Sequence, residues 1–423
     1  MLPRYFLVVT CAAALVPMPA VSQPMTHEAA PVVTESLTFD RALELAVQRS
    51  QSARAARASM ASASQSARVA GQLPDPTLRA GIDNLPVTGP DRLSTTRDSM
   101  TMKRIGISQE WLSAEKRAAR TAAAQALVSR EEAQLKASVA EARLQTSLAY
   151  LDAFYAGEAL KLAQLMQHHA REEFEASRAR LASSSGSSSE VLALTGARAM
   201  AEDESTEIHQ QQAAAQVALQ RWSGVAAGEL AAAPQMGGLS EEAFVEGHPS
   251  VLVKQQEVQV ARLEAASTAS NRRPNWTWEA SYGQRSGYSD MVSVVVSIPL
   301  PVAPGERQNR ETVAKLSLID KAEADLAEAR RAAHAEYETL VRNSHLLDER
   351  IERYREGVVL PAQQRVAAAT ASYRSNQGTL MTLFEARRAE VEAQRKQLTL
   401  QRDLAKTMAQ LAYRAWWAPR DTQ

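Results

Sequence analysis

The sequence predicts a mostly α-helical protein that carries amphipathic β-hairpins, laid out as a duplicated helix–hairpin–long-helix unit. Three observations predict it. First, the chain says the same thing twice: Leu37-Thr-Phe-Asp-Arg-Ala-Leu-Glu-Leu-Ala opens one half and Leu239-Ser-Glu-Glu-Ala-Phe-Val-Glu the other. Each opening leads to a proline, Pro76 or Pro274, 198 residues apart. Lys103-Arg-Ile-Gly-Ile-Ser108 then corresponds to Ser293-Val-Val-Val-Ser297, and Gly196-Ala-Arg198 to Glu385-Ala-Arg387, both at an offset of 189. The drop of nine falls in the first hairpin, which therefore has the longer outer loop. A unit this long is a duplicated half-protein rather than a solenoid repeat. Second, aromatic residues make up only 5% of the chain while Ala, Gln, Glu and Arg abound, a composition of long helices. Third, residues 114–181 hold no proline and a single glycine, Gly157.

The N-terminus reads Met1-Leu-Pro-Arg4, an apolar run from Tyr5 to Val16, and then small residues to Ser22. That is the pattern of a secretory signal over residues 1–22. The only cysteine, Cys11, lies inside the run. Thr10 before it and the apolar residues after it disfavour a lipid-attachment site, so the exported chain has no thiol for disulfides, cysteine-ligated zinc or thiol catalysis. Residues 23–36 read as a tether. No later stretch reaches the roughly 20 apolar residues of a membrane helix, so an exported chain that crosses a membrane must do so with strands. With 48 basic and 48 acidic residues there is no basic excess for nucleic acid.

The first structural unit spans 37–224. Thr38 or Asp40 caps a helix running toward Val69, which Pro74 and Pro76 end. Strands follow at about 76–83 and 102–111: Leu78, Ala80 and Ile82 alternate with Thr77, Arg79 and Gly81, and Ile105 and Ile107 with Arg104, Gly106 and Ser108. The helix from Ala114 to Leu181 would be roughly 100 Å long and needs lateral partners along its length. Ser183-Ser-Ser-Gly-Ser-Ser-Ser189 breaks it, and a second helix returns toward Trp222. Residues 225–238 connect to the second unit, 239–417, which has strands at about 275–283 and 291–300. A helix from about Gln308 to Val359 meets Pro361. The turn Ser375-Asn-Gln-Gly378 leads into a last helix ending near Trp416-Trp417, and 418–423 is a tail.

Each unit thus offers one hairpin with an apolar and a polar face. Strands of this length span an outer membrane with the apolar side to lipid, and Trp111, Trp276, Trp278 and Tyr282 suit its interfacial girdles. Four strands cannot close a barrel, so several copies must share one.

The order of elements, with Tyr373-Arg-Ser-Asn-Gln-Gly378 followed by Leu383-Phe-Glu-Ala-Arg387, resembles the TolC-type outer-membrane efflux family over residues 37–417. Leu73-Pro-Asp-Pro76, Gly81-Ile-Asp-Asn-Leu-Pro-Val-Thr-Gly-Pro90 and Met102-Lys-Arg-Ile-Gly-Ile107 look most like its heavy-metal branch (cobalt–zinc–cadmium or copper–silver export). The resemblance implies a homotrimer: a twelve-stranded outer-membrane barrel over a periplasmic α-helical barrel, docked on a periplasmic adaptor and an inner-membrane RND pump. It implies a passive exit duct with no catalytic residues and no cofactor. It places Tyr373 on the gate tyrosine and Glu385 on one gate carboxylate. Thr382 stands where the second carboxylate is expected. Glu385 reads equally as a pore carboxylate or as a solvated helix charge. Ser183, Gly186 and Ser189, with Ser375, Asn376 and Gly378, would form the tips that meet the adaptor.

No His-x-x-x-His or carboxylate–histidine cluster marks a metal site, and no phosphate loop, nucleophile elbow or zinc-protease motif marks an enzyme. Two alternatives share features of the chain. A duct for drugs or for type I protein secretion has the same fold and another cargo. A periplasmic adaptor has a helical hairpin too, but only one, flanked by Gly-rich β domains.

Overall fold

The computed structural model describes residues 32–33, 36–232, 234 and 236–416. The signal segment with Cys11, most of the tether, Trp417 and the tail lie outside the described residues. The elements are β1 (Val32–Val33), α1 (Phe39–Arg49), α2 (Gln51–Ala70), β2 (Thr77–Asp83), β3 (Met102–Trp111), α3 (Ala114–Ala182), α4 (Ser188–Ser223) and β4 (Ala226–Ala227). There follow α5 (Glu241–Glu246), α6 (Pro249–Ser270), β5 (Trp276–Arg285), β6 (Met291–Ser297), α7 (Gln308–Tyr354), α8 (Leu360–Arg374) and α9 (Leu380–Tyr413).

The opening helix is two helices. Ser50 turns out of helical geometry (ψ 111°), and its hydroxyl accepts from the Ala53 amide to start α2, as Thr38 does from Arg41 for α1. The helix expected from Ser240 is likewise divided, because Pro249 begins α6 and carries no amide hydrogen to continue α5. α3 runs unbroken for 69 residues, about 100 Å. It finds its lateral partners in α2, α4, α6 and α9. Its buried side is largely alanine, with Ala126, Ala133 and Ala140 at heptad spacing, so neighbouring helices approach closely. Between α7 and α8 one turn, Arg355–Val359, widens to π-helical geometry. Pro361 lies just beyond it and cannot donate to the Gly357 carbonyl, which is the local cause of the irregularity.

The two hairpins join into one antiparallel sheet, in the order β2-β3-β5-β6. β3 and β5 pair over ten residues, from Met102 with Arg285 to Trp111 with Trp276. β6 ends at Ser297, short of the expected 300, because Pro299 and Pro301 cannot continue a ladder. Eighteen residues separate the paired Asp83 and Met102, and seven separate Gly283 and Met291. The first outer loop is therefore longer by eleven residues rather than nine; the second hairpin's register starts at Thr277, two positions past the point aligned on Pro274.

The core at mid-height repeats a contact. Phe39 and Tyr150 meet edge to face at 5.2 Å, and the Tyr150 hydroxyl lies 2.8 Å from the Leu37 carbonyl and 2.6 Å from that of Ala231. In the second unit Phe244 packs on Tyr337 at 5.4 Å, and the Tyr337 hydroxyl donates to the Leu239 carbonyl. Beside the first of these, β1 and β4 form a short parallel ribbon that joins tether to connector, which sequence patterning did not foresee.

Candidate functional site

Pairing in register stacks side chains of like polarity into rows. On one face Leu78, Ile107, Ala280 and Val294 form a row, and Ala80, Ile105, Tyr282 and Val292 the next. Ile105, Ile107, Val292, Val294 and Val296 are all exposed, so this apolar belt has no partner among the described residues. Trp111 and Trp276, directly paired, stand with ring centroids 5.9 Å apart at the helix-proximal end. Trp278 lies two residues further along β5, and Tyr282, whose hydroxyl donates to Asp290, lies near the outer end. Trp276 and Tyr282 are about 20 Å apart along the strand, close to the height of a membrane's apolar layer.

The other face is polar. Arg79 Nη1 bonds Glu279 Oε2 at 2.9 Å, and Arg104 Nε bonds Asp83 Oδ2 at 2.9 Å. Between Arg79 and β5 stands Gly106; a Cβ there would lie 2.7 Å from that of Ser281. Where strands become helices, Asn275 ties three elements. It donates to Glu110 at 2.7 Å and accepts from the buried Lys116 ammonium at 2.6 Å.

At the opposite end, the two helical turns match residue for residue, 192 positions apart. Ser183 and Ser375 donate their amides to the carbonyls of Ala179 and Ala371, and Ser185 and Gln377 to those of Arg180 and Ser372. Ser184 and Asn376 take the left-handed conformation, with φ of 60° and 62°. Gly186 and Gly378 follow because a Cβ would come within 2.7 Å and 3.2 Å of the preceding turn. Ser187 and Thr379 then cap α4 and α9, Ser187 also touching the Ser189 hydroxyl. Glu190 Oε1 accepts from the Leu380 amide at 3.1 Å and ties one turn to the other.

Above the turns, Met166, Ala170, Leu194, Leu380 and Phe384 form a buried cluster, with Tyr373 packed against it and the Arg180 guanidinium 5.9 Å from the Tyr373 ring. Thr382 and Glu385 are exposed, one turn apart on α9, and the buried Leu383, Phe384 and Ala386 face the other way. Thr382 and Glu385 thus share one exposed stripe of α9, whereas Tyr373 packs from α8 against the buried cluster.

Sequence reasoning missed the residues that bind α9 to the first unit. Arg387 bonds Glu173 at 3.0 Å and approaches His169 Nδ1 at 3.2 Å. Arg395 pairs with Glu204, Lys406 with Asp152 at 2.8 Å, and Arg414 with Glu141 at 3.6 Å. Between the rungs lies a groove of about 650 Å³ with a mixed lining, Asp152, Arg395 and Arg402 beside Ala159, Ile208 and Leu398. The spacing of Arg387, Arg395 and Arg402 along one stripe of α9 was the available signal. Glu173 is 3% exposed, and its second oxygen has no hydrogen-bond partner among the described residues. Burial pushes its carboxyl up to about 7, against the pull of Arg387. Burial first, and Arg387 next, hold His169 below the usual histidine range.

Among the described residues no group of three or more His, Cys, Asp or Glu side chains could hold a metal, and no helix is long and apolar enough to cross a membrane. No protein-family profile and no curated protein matches the sequence. Solved structures do match. The outer membrane protein VceC of Vibrio cholerae superposes with a TM-score of 0.73 at 18% identity, over 90% of this chain and 97% of that one. CusC, described for its folding and transmembrane channel formation, gives 0.73 at 13% identity over 89% and 91%. The open MtrE outer membrane channel of Neisseria gonorrhoeae gives 0.72 at 15% identity over 89% and 88%. At these identities the likeness establishes the fold. It is a fold shared with solved outer-membrane channels.

Proposed function

We propose that the protein is the outer-membrane exit duct of a tripartite RND-type efflux system. Three copies would close a barrel through the outer strands β2 and β6 and continue it as a helical tube, resting on a periplasmic adaptor and an inner-membrane pump. One observation carries this reading. Two hairpins fuse into a sheet that, among the described residues, has an unpartnered apolar belt and two free edges, directly above a helix of about 100 Å. Lipid covers an exposed apolar sheet face, and inside a bilayer its open edges must pair with further strands. The turns at Ser183–Ser189 and Ser375–Gly378 are the adaptor contacts. Heavy-metal cations are the proposed cargo, on the resemblance in residues 73–107. The pump selects the cargo, and the duct conducts it passively.

Fractionation tests the reading: heat-modifiable trimers should sediment with outer membranes, and a soluble monomer would overturn it. Metal sensitivity of a deletion strain, without drug sensitivity or a protein-secretion defect, would support the metal cargo over the other two.

A further inference from the structure

The polar face of the sheet carries six formal charges in its strand rows: Arg79, Arg104 and Arg285 against Asp83, Glu110 and Glu279. The apolar face carries Lys103 alone. The polar charges are balanced in number, and four of the six are joined in place. Arg79, on the outer strand β2, reaches across β3 to Glu279 on β5, and Arg104 reaches Asp83 on the neighbouring strand. The reach over β3 is open because position 106 is glycine. Glu279 keeps only 17% of its side chain exposed, whereas Arg79 keeps 63%, so the acid is seated in the wall and the base lies over it.

We propose that this face is a charge-balanced pore lining in which Glu279 and Asp83 are specificity-determining residues. They cancel Arg79 and Arg104, so that the exit barrel passes cations and anions with little preference. The proposal rests on the duct reading, which turns this face to the lumen. A lone fixed charge on a low-dielectric wall concentrates counter-ions across a lumen, whereas a contact pair is a dipole whose field fades within a few ångströms of water. The barrel would then let metal ions leave free or in anionic complexes alike, and any preference for cations would arise in the helical tube.

Single-channel recording in planar bilayers under a potassium chloride gradient tests this. Dilute salt, about 10 mM, lets a wall charge reach roughly 30 Å. Glu279→Gln, which keeps an acceptor for Arg79, should raise the chloride-to-potassium permeability ratio above wild type. Arg79→Gln should lower it, and the double variant should return to wild type. Asp83→Asn provides an independent arm and should shift the ratio the same way as Glu279→Gln. Single variants that conduct with the wild-type ratio, or that shift together in one direction, would overturn the proposal. Purified wild-type protein that forms no channels would instead overturn the duct reading beneath it.

Discussion

Arg79 and Glu279 stand at matching positions of the two hairpins and bond each other at 2.9 Å across the intervening strand. The contact depends on Gly106, which Arg79 faces in register on one side and Ser281 on the other. Gly106→Ala should push β3 from β5, since the new methyl would sit 2.7 Å from the Ser281 Cβ and 3.1 Å from the Ala280 carbonyl oxygen. Overpacking of this kind costs about 1–3 kcal/mol. It should appear as a lower temperature for loss of the heat-modifiable oligomer, whereas Gly81→Ala, at an open position of β2, should leave that temperature unchanged.

Glu173 makes the α3–α9 seam sensitive to pH. Its carboxyl titrates near 7 in the folded protein, above the ordinary value of 4.5, because burial opposes the charge. A raised carboxyl contributes stability that is complete below the unfolded value and is lost as pH rises through the folded one. Wild-type protein should therefore lose thermal stability between about pH 4.5 and pH 7, and Glu173→Gln should flatten that slope. His169, held low, acts in the opposite sense below its ordinary value of 6.5, so His169→Gln should raise stability at acid pH. Arg387 on α9 and Glu172 on α3 act on both groups, and His168 on His169 alone. Thermal melts of the detergent-solubilised protein at several pH values measure both slopes.

Tyr150 is fully buried, and burial pushes its hydroxyl up to about 12, so it stays a donor across the working range. Its single proton serves the carbonyls of Leu37 and Ala231, which hold the chain's entry beside the β1–β4 ribbon. Tyr150→Phe should cost about 1–2 kcal/mol and speed amide hydrogen exchange at Leu37 and Ala231. Tyr337→Phe, whose single bond is longer at 3.4 Å, should cost less.

These residues also show what could be read from the chain alone. α3 was legible because nothing in 114–181 breaks a helix, and the strand faces because Leu78, Ile105 or Val294 alternate with Arg79, Arg104 or Ser293 at period two. The pairing of β3 with β5 was not legible, since a period shows which way a side chain points and says nothing of which strand lies beside it. Nor was Glu173 with Arg387: the partners are 214 residues apart, and each alone looks like one more charge on a polar helix. Ser50 escaped notice because a serine within helical periodicity acts as a cap only if the backbone turns there. The turn at Ser375–Gly378 was read correctly from its glycine, but its identity in hydrogen bonding with Ser183–Gly186 became visible only in three dimensions.

The exposed pair Thr382 and Glu385 supports a last prediction. Glu385 projects from α9 away from the buried Leu383 and Phe384, so the three chains of the proposed trimer would present a ring of carboxylates near the helical turns. Glu385→Gln should alter single-channel conductance or its block by divalent cations in planar bilayers, and unchanged conductance and block would remove the residue from the gate. Thr382 offers the converse test. It is the third residue of α9, and its amide already bonds the capping Thr379 hydroxyl at 3.1 Å. An acid in the first turn of a helix interacts favourably with the helix dipole, by about 0.3–1 kcal/mol. Thr382→Asp should therefore fold at least as well as wild type while doubling the charge of the ring. Stronger cation block than wild type is the expected result. Equal block in a stably folded variant would mean that this stripe of α9 faces away from the ion path.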